Sequence, residues 1–395
     1  MNSCIIIPPS SFLDNDKVFV QLGPYYIKRF VEENSNHTVD ILSTLPFKNL
    51  EKYDVIGFSV TTPQYKYVDT ILQDLNNIWY KRFVTVIGGP HTDMYEIEYG
   101  KFNYVIRKDG CRPFLNILNG KEVGSEQDDN DQLPSRDKSL FEYKYFIDGI
   151  HATHAITSRG CPRTCRFCES ARTVVRYKSK EAVGKEIQEC VDLGFKAVMF
   201  FDDLFCANLK RVKELCEVIK PFNIKFRCFA HANNFTKEMA EILKDANCVE
   251  IGYGAEHASQ KILDIVDKKT KVEQNYNLVK IANSVGIRVK AFLIIGLPGE
   301  DHDTVKELEK FILTSGVAEE PNDFDLCVYY PFVGTEIANN PEKFGIFIDY
   351  GENSGGYYKG KLGTSSCIIR TKDLNSDEIK EYQKKLYGYN KRWRI

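Results

Sequence analysis

Short apolar runs alternate with longer amphipathic stretches along most of this chain, and the alternation occurs in two series. In the first series, strands are predicted at residues 4–7, 39–42, 55–60, 83–87 and 104–106, and helices at 20–33, 65–77 and 113–118. In the second, strands are predicted at 152–157, 197–201, 225–230, 248–253, 288–295 and 324–330, with helical patterns between them. Parallel strands need a long crossover connection, which is usually a helix, so both series indicate parallel sheets.

The two series predict an α/β chain with two domains. Residues 1–118 are expected to form a small doubly wound, Rossmann-like domain, and residues 151–335 a partial (β/α)6 barrel with its site at the strand tops. Residues 119–150 are interpreted as a linker, because the stretch 119–139 is polar and has no apolar periodicity. Residues 336–395 form a short C-terminal extension. Its segment 351–363 is rich in Gly, Tyr and Lys and is either a lid over the barrel or a connection to a last helix.

Composition excludes some classes of protein. The chain has 395 residues and a formal net charge of -2, which argues against a whole surface built for nucleic acid or an anionic membrane. A nucleic-acid substrate stays open. The first apolar run is too short for export or for crossing a membrane. Twelve cysteines without a secretion signal indicate a reducing compartment, so we expect a cytoplasmic protein.

A group of three cysteines follows the first strand of the second series. Cys161, Cys165 and Cys168 have the spacing CxxxCxxC, and Phe167 stands directly before the last thiol. Three thiolates on so short a loop can converge on one soft metal centre, but they leave a four-site centre one ligand short. The alternative is a structural zinc loop, which needs a fourth ligand from a nearby side chain such as His151.

This motif resembles that of the radical S-adenosylmethionine (SAM) enzymes. The resemblance implies a [4Fe-4S] cluster on the three cysteines, with one iron open to SAM and Phe167 beside the cofactor. It also implies an electron donor such as flavodoxin or ferredoxin. In that family one electron from the cluster cleaves SAM to methionine and a 5'-deoxyadenosyl radical, which abstracts hydrogen from the substrate.

Two segments after the motif resemble the part of the family that binds the methionine moiety of SAM. Asp202 and Asp203 end the second barrel strand, where an acidic pair commonly borders the SAM amine; helix capping is the alternative. Arg227 and His231 bracket the third strand, where relatives place a cationic or polar group for the SAM carboxylate. A surface salt bridge is the alternative for Arg227.

Two later segments resemble the part of the family that binds the nucleoside. Glu256 stands in a segment like Gly-x-Glu-Ser, which implies contact with the ribose hydroxyls, although His257 replaces the serine. Gly296 and Pro298 follow the fifth strand in a Gly-x-Pro-Gly turn, where backbone approaches the adenine ring in relatives. The fixed order of these segments after CxxxCxxC strengthens the resemblance.

The first domain resembles the cobalamin-binding domain of one large branch of this family. The resemblance rests on DVIGFSVTTPQ and VTVIGGPHT, which place Ser59, Thr61, Gly88 and Gly89 at strand ends, where open α/β sheets bind ligands. The Asp-x-His-x-x-Gly motif that supplies a cobalt ligand in many cobalamin proteins is absent. Cobalamin binding and a domain kept for packing or substrate capture both stay open.

The chain is therefore interpreted as a radical SAM enzyme of unknown substrate. With cobalamin, the resemblance implies methylation of an unactivated carbon or a ring rearrangement. Without it, oxidation, isomerisation or methylthiolation remain open, although the additional domains of the tRNA methylthiotransferases are not evident. The alternative from another class is a noncatalytic iron-sulfur or zinc protein.

Overall fold

A computed structural model describes residues 1–10, 15–43, 47–78, 82–124, 127–349 and 367–391. The chain divides into two compact units, Met1–Tyr145 and Phe146–Ile395, each with its own sheet. The segment 351–363, predicted as a lid or a connection, lies outside the described residues.

The first unit is built on a five-stranded parallel sheet. Its strands are β1 (Asn2–Ile6), β2 (Thr38–Leu42), β3 (Val55–Ser59), β4 (Val84–Gly88) and β5 (Tyr104–Val105). Its helices are α1 (Leu22–Asn34), α2 (Thr62–Tyr65), α3 (Val68–Asn76), α4 (Pro90–Met94) and α5 (Cys111–Leu118). The strand order is β2-β1-β3-β4-β5 and every pairing is parallel. This is a doubly wound order whose direction reverses between β1 and β3, and it confirms the predicted fold.

Alternate residues of β1 and β3 form two apolar cores, one on each face of the sheet, because side chains along a strand point to opposite faces. The core on one face contains Cys4, Ile6, Ile56, Phe58, Ile71 and Leu75. The core on the other face contains Ile5, Val55, Val86, Phe114 and Ile117. Helix α3 covers the first face and α5 the second, which explains why the central strands are apolar throughout.

The stretch predicted as a linker is partly packed against the first unit. Gln132 donates a side-chain hydrogen bond to the carbonyl of Tyr26 (3.1 Å), and the Ser135 amide donates to that of Tyr25 (2.9 Å). The Tyr25 hydroxyl lies 3.2 Å from that of Ser139. Residues 132–139 therefore lie along α1.

The second unit contains a seven-stranded sheet. Its strands are β6 (Tyr145–Ile147), β7 (Ile150–Ala155), β10 (Ala197–Phe200), β11 (Lys225–Ala230), β12 (Cys248–Glu256), β13 (Arg288–Ile295) and β14 (Asp323–Val328), and β8 (Ser158–Arg159) and β9 (Arg176–Tyr177) form a separate ribbon. From β7 to β14 the strands pair in parallel and in chain order. The sheet is a half-barrel, which confirms the partial barrel predicted from sequence, and β6 flanks β7.

Most helices of the second unit begin at side-chain caps. They are α6 (Lys180–Asp192), α7 (Leu209–Ile219), α8 (Lys237–Asp245), α9 (Gln260–Ile265), α10 (Val272–Ser284), α11 (His302–Thr314), α12 (Glu336–Asn339) and α13 (Ser376–Tyr387). Ser179, Asn208, Thr236 and Asp301 accept amide hydrogen bonds at the starts of α6, α7, α8 and α11. Within the described ranges, no helix has the length and apolar character that a membrane crossing requires.

The C-terminal extension protects the free edge of the half-barrel. Strands β15 (Ile346–Ile348) and β16 (Ile369–Thr371) form a short antiparallel ribbon, and α13 follows it. The side-chain amide of Gln383 donates to the carbonyl of Leu326 (2.8 Å), and that of Asn390 donates to the carbonyl of Phe324 (2.7 Å). Both carbonyls belong to β14, so side chains at the end of the chain satisfy edge groups that a further strand would otherwise pair.

A buried histidine packs at the carboxyl edge of the first sheet. The ring of His91 stacks between those of Tyr65 and Tyr95, at centroid distances of 4.1 and 4.7 Å, and its Nδ1 lies 3.2 Å from the Thr62 hydroxyl. Burial lowers the pKa of His91 to about 4, and the nearby charge of Lys101 adds to the effect. The imidazole is therefore neutral in the folded protein at neutral pH.

We predict that His91 makes stability fall as the pH drops from about 6.5 towards 4. In that range the unfolded chain binds a proton that the folded protein does not, so the stabilisation present above pH 6.5 is lost on acidification. Between pH 7 and pH 5 the loss from this group is about 2 kcal/mol. Urea unfolding at both pH values checks it. His91→Phe keeps the stacking and should show a correspondingly smaller difference; an identical pH dependence would contradict the assignment.

Candidate active site

Hydrogen bonds on both sides of Cys161, the first cysteine of the motif, fix the cysteine loop. The Gly160 amide donates to the Asp203 carboxylate (3.1 Å), and the Cys161 amide donates to the Thr173 hydroxyl (2.8 Å). The Thr173 amide returns a bond to the Cys161 carbonyl (3.1 Å). Gly160 has φ +88°, and a Cβ there would lie 2.5 Å from the Val174 carbonyl oxygen, so this position requires glycine.

The middle of the loop is bound to the segment that follows α9. The Arg166 amide donates to the Val266 carbonyl (3.0 Å), and the Arg166 guanidinium donates to the Ile265 carbonyl (2.7 Å). The Thr164 hydroxyl donates to the Asp267 carbonyl (3.4 Å). These contacts bring the next residue, Lys268, to the same side as the cluster cysteines.

The three thiols suit an iron-sulfur cluster better than a single metal ion. Within the described ranges, no group of three or more His, Cys, Asp or Glu side chains is close enough to hold one ion. A four-iron cluster takes each thiolate on a different iron, so its ligands are spaced more widely. Burial raises the pKa of Cys165, and it raises the pKa of Cys168 to about 11. The positive charge of Lys268 opposes both shifts and favours the thiolates that iron requires.

Lys268 and Glu256 form a buried ion pair beside these thiols. The ammonium lies 2.6 Å from Glu256 Oε1, and Lys268 is only 6% exposed. Burial alone would lower the pKa of Lys268, but Glu256 and the thiols of Cys165 and Cys168 raise it above its ordinary value. The ammonium also lies 6.0 Å from the ring centroid of Phe167. The site therefore holds a fixed cation and a fixed carboxylate next to the cluster loop.

The backbone around Glu256 is shaped to hold this pair. Glu256 has φ +59°, and the pairing of β12 with β13 shifts register between Gly254 and Glu256. A Cβ at Gly254 would lie 2.1 Å from Glu256 Oε1 and 2.8 Å from the Lys268 ammonium. Glycine at 254 thus provides the room in which the two charges meet, and a left-handed glutamate turns its carboxylate into that room.

Asp202 and Asp203 both anchor the start of the cluster loop. Asp202 is buried and accepts hydrogen bonds from the Thr157 amide (2.7 Å), the Thr157 hydroxyl (2.5 Å) and the Ser158 hydroxyl (2.7 Å). Burial raises its pKa to about 6, against the effect of these bonds. The Asp203 carboxylate accepts a hydrogen bond from the Gly160 amide. The predicted contact of either carboxylate with the SAM amine stays a prediction.

His231 is a neutral group close to Lys268. Burial, together with the charges of Lys268 and Arg163, lowers the pKa of His231 to about 3. Its Nδ1 accepts from the Asn233 amide (3.3 Å). His231 therefore offers a hydrogen bond rather than a positive charge at neutral pH, and its predicted role towards the SAM carboxylate stays untested.

Arg227 belongs to a network of ion pairs in the amino-terminal halves of the strands. Its guanidinium lies 2.8 Å from Glu250, which also pairs with Arg288 at 2.6 Å. Arg288 and Lys225 both pair with Asp148, in the turn between β6 and β7. A depression of about 640 Å³ opens at this end of the half-barrel, away from the cluster loop. The predicted SAM contact of Arg227 gains no support from its position.

Gly296 and Pro298 lie in a tightly packed turn between β13 and α11. Gly296 has φ +86°, and a Cβ there would lie 2.9 Å from Ile369. Its amide donates to one carboxylate oxygen of the buried Glu300, whose other oxygen lies 2.7 Å from His257 Nε2. His257 Nδ1 accepts from the Ser259 amide (3.0 Å), so Nε2 carries the proton and donates to Glu300. His257 thereby joins the Glu256 segment to the Gly296 turn.

A cavity of about 440 Å³ opens beside the cluster loop. It is lined by Phe167, Cys168, Glu169, Ser170, Glu256, Phe292, Leu293, Ile294, Cys327, Val328, Tyr329, Tyr330 and Phe332. A chain of rings continues across the inner face of the sheet. The centroid distances are 5.2 Å between His154 and Phe201, 6.1 Å between Phe201 and Phe229, and 6.0 Å between Phe229 and Phe292. The cavity thus unites a predicted cluster ligand, Cys168, and the predicted ribose contact, Glu256, with an apolar wall, an arrangement typical of ligand sites.

The loops predicted to bind cobalamin meet at the carboxyl edge of the first sheet. Ser59 pairs with Gly88, and a Cβ at Gly89 would lie 2.7 Å from the Val60 amide, which packs the two loops together. Thr61 donates its hydroxyl to Gln64, whose side chain binds the Pro8 carbonyl after β1 (2.7 Å). These small and polar residues lie where the strand order reverses, which is the position of ligands in doubly wound sheets.

The family model of the radical SAM superfamily matches residues 155–312. An uncharacterized methyltransferase of Pyrococcus horikoshii is 27% identical over 416 residues, which cover 93% of this chain and 86% of the relative. The range matched by the family model includes all three motif cysteines and every site residue predicted in the barrel. The domain they form is a radical SAM domain.

Two solved structures share the fold across both units. The radical SAM methyltransferase TsrM from Kitasatospora setae, with cobalamin and a [4Fe-4S] cluster bound, has a TM-score of 0.70 at 16% identity and covers 89% of this chain and 81% of its own. The cobalamin-dependent radical enzyme OxsB, with aqua-cobalamin and SAM bound, has a TM-score of 0.62 at 18% identity. The match covers 87% of this chain and 56% of the OxsB chain. The radical SAM domain of this chain implies a [4Fe-4S] cluster and SAM as cofactors.

Sequence reasoning missed Lys268 and Gly254. Lys268 stands among several charged residues after α9, where a lysine is ordinarily solvated, and its burial depends on the contacts between residues 164–166 and 265–267. Gly254 was visible as part of Gly-x-Glu, but only the register shift shows what its missing side chain leaves room for.

We predict that Lys268→Met lowers the free energy of unfolding by about 3–5 kcal/mol, because it leaves the Glu256 carboxylate buried without a partner. The double variant Lys268→Met/Glu256→Gln should recover most of this loss, since no buried charge remains. Lys269→Met is the matched control: that lysine is exposed, and its change should stay within about 0.5 kcal/mol. Urea unfolding measures all three, and equal effects of Lys268→Met and Lys269→Met would refute a buried pair.

Proposed function

We propose that this chain is a cobalamin-dependent radical SAM methyltransferase. The observation that carries the radical part is the buried Lys268–Glu256 pair beside the three-cysteine loop, within one cavity. The cobalamin part is supported by the polar loops at the strand crossover of the first unit and by two cobalamin-binding structures that share the fold of both units.

The cysteine loop would hold the cluster through Cys161, Cys165 and Cys168. When bound, the cluster supplies the electron that cleaves SAM. Hydrogen bonds of the loop with Asp203, Thr173 and Val266 hold its backbone in place.

The cavity residues would bind and orient SAM. SAM carries an ammonium, a carboxylate, a ribose and a flat adenine. Lys268 is a buried cation close enough to act on the thiols of Cys165 and Cys168, and it suits the carboxylate, while Glu256 can accept hydrogen bonds from ribose hydroxyls. Phe292 and Ile294 offer the apolar wall that an aromatic base requires.

The first unit would hold cobalamin at the loops containing Ser59, Thr61, Gly88 and Gly89. Its crossover between β1 and β3 is where this strand order binds flat cofactors. His91 is stacked between two tyrosines, so it is committed to packing rather than presented as a cobalt ligand. A radical SAM enzyme without cobalamin, performing oxidation, isomerisation or methylthiolation, is the second candidate and has no separate observation in its favour. We place the enzyme in the cytoplasm because its cluster and its many thiols need a reducing compartment.

Substitution of one cluster cysteine tests the radical function. Cys165→Ala, reconstituted with iron and sulfide without oxygen, should retain much less iron and release at least about 100-fold less 5'-deoxyadenosine from SAM with dithionite, since a cluster ligand is lost. Cys216→Ala is the matched control, because that thiol lies in the apolar core on α7. Iron content and nucleoside release of the control should match the unchanged protein. If both variants behaved alike, the proposed cluster site would be wrong.

A bulky side chain at the crossover tests the cobalamin site. Gly88→Leu has local room, because a Cβ there meets its nearest neighbour at 3.5 Å, but the side chain would fill the edge where the cofactor is proposed to lie. We expect the variant to lose the corrin absorbance that the unchanged protein retains after gel filtration, and to keep its iron. Thr38→Leu, at the amino end of β2, is the control and should retain corrin. No retention by the unchanged protein would refute this half of the proposal.

A further inference from the structure

Glu256 has a backbone conformation that a glutamate does not favour. Its φ is +59°, in the left-handed region, where residues other than glycine are uncommon. The residue is only 7% exposed, and it lies where the pairing of β12 with β13 shifts register. Such a conformation persists only when the surrounding structure holds it. The groups that hold Glu256 therefore determine where its carboxylate lies.

One buried side chain binds the backbone on both sides of Glu256. The side-chain amide of Asn275, on α10, donates to the carbonyl of Ala255 (3.2 Å) and to that of His257 (3.3 Å). The orientation of this amide is fixed by chemistry, because the opposite orientation would place its oxygen against two carbonyl oxygens. Asn275 thus holds the residues that flank the left-handed position from a different element of the fold.

The oxygen of the same amide indicates that Asn275 is not placed for stability alone. Within the described part of the chain, this buried Oδ1 has no hydrogen-bond partner. A buried acceptor without a partner lowers stability, and a leucine of similar size would avoid that loss. The two hydrogen bonds that the NH2 group donates beside Glu256 give a physical reason for an asparagine here.

The ring of His257 fixes the same segment from the other direction. Its Nε2 donates to the Glu300 carboxylate (2.7 Å), which also accepts from the Gly296 amide. The Thr371 hydroxyl donates to the carbonyl of Glu300 (3.0 Å). Both His257 and Glu300 are fully buried. The imidazole therefore ties the backbone after Glu256 to the turn between β13 and α11.

We propose that Asn275 and His257 are positioning residues that hold Glu256 left-handed, so that its carboxylate can accept the ribose hydroxyls of SAM. The proposal rests on the proposed function, because it assigns the residues that set the geometry of the same site. Asn275 and His257 are not among the residues that line the cavity, so they act through Glu256 rather than by touching SAM. Without their hydrogen bonds, the backbone would relax towards negative φ, and the carboxylate would leave the space beside Gly254.

Binding of SAM with and without its ribose hydroxyls tests this role. The probes are SAM and the SAM analogue in which hydrogen replaces both ribose hydroxyls, and equilibrium dialysis with the reconstituted protein measures both affinities. Asn275→Leu removes both donors at nearly constant volume. It should bind SAM about tenfold more weakly, since hydrogen bonds to a carboxylate are misplaced. Its affinity for the analogue should change less than about twofold, because the analogue has no ribose hydroxyl contact to lose.

Variants of His257 test the proposal independently. His257→Gln places an amide donor close to the position of Nε2 and should bind SAM within about threefold of the unchanged protein. His257→Leu offers no donor to Glu300 and should show the same selective loss as Asn275→Leu. Asn283→Leu is the matched control, because this asparagine is exposed near the end of the same helix α10. The control should bind both probes like the unchanged protein.

Two results would overturn the proposal. The first is an equal fall in affinity for SAM and for the analogue in Asn275→Leu and His257→Leu, which a general loosening of the fold would cause. The second is unchanged SAM affinity in both variants. If the unchanged protein still releases 5'-deoxyadenosine from SAM, either result rejects the positioning role alone. A protein that neither binds SAM nor releases the nucleoside would reject the proposed function as well.

Discussion

The active site depends on keeping two opposite charges buried beside three thiols. Removing an ammonium and a carboxylate from water costs several kcal/mol each, and only close pairing in a shaped cavity offsets that cost. Glycine at 254 provides the space, the left-handed backbone of Glu256 aims the carboxylate, and the contacts of the cysteine loop with residues 265–267 bring Lys268 into reach. The loop, the ion pair and the bulge in β12 are therefore parts of one arrangement, and a change in any of them affects the others.

Much of the fold was predictable because the period of the apolar residues is set by the backbone. The predicted strands 225–230 and 288–295 coincide with β11 and β13, and the predicted helix 113–118 lies within α5. Strands β8 and β9 have two residues each, so they carry no periodicity and were missed. The polar composition of 119–139 predicted a linker, but composition does not reveal that Gln132 and Ser135 bind the carbonyls of α1.

The site was predictable in part, for a different reason. Cysteine spacing specifies a metal loop by itself, since few other structures use three close thiols. The partners of single polar residues are not specified in this way. The resemblance placed Arg227 and His231 around the third barrel strand, yet it could not show that Glu250 holds Arg227 among ion pairs or that burial keeps His231 neutral. Both outcomes depend on neighbouring strands and loops whose register only the folded chain defines.

The contacts of Gln383 and Asn390 with the carbonyls of β14 have a consequence for the integrity of the whole half-barrel. An incomplete barrel is an open sheet, and an open sheet can recruit a strand from another molecule. Two amide side chains of the last described segment occupy the acceptors that such a strand would need. Proteolytic loss of α13 would thus convert a protected rim into a template for self-association, and oligomers joined through β14 would be the first sign of damage to this protein.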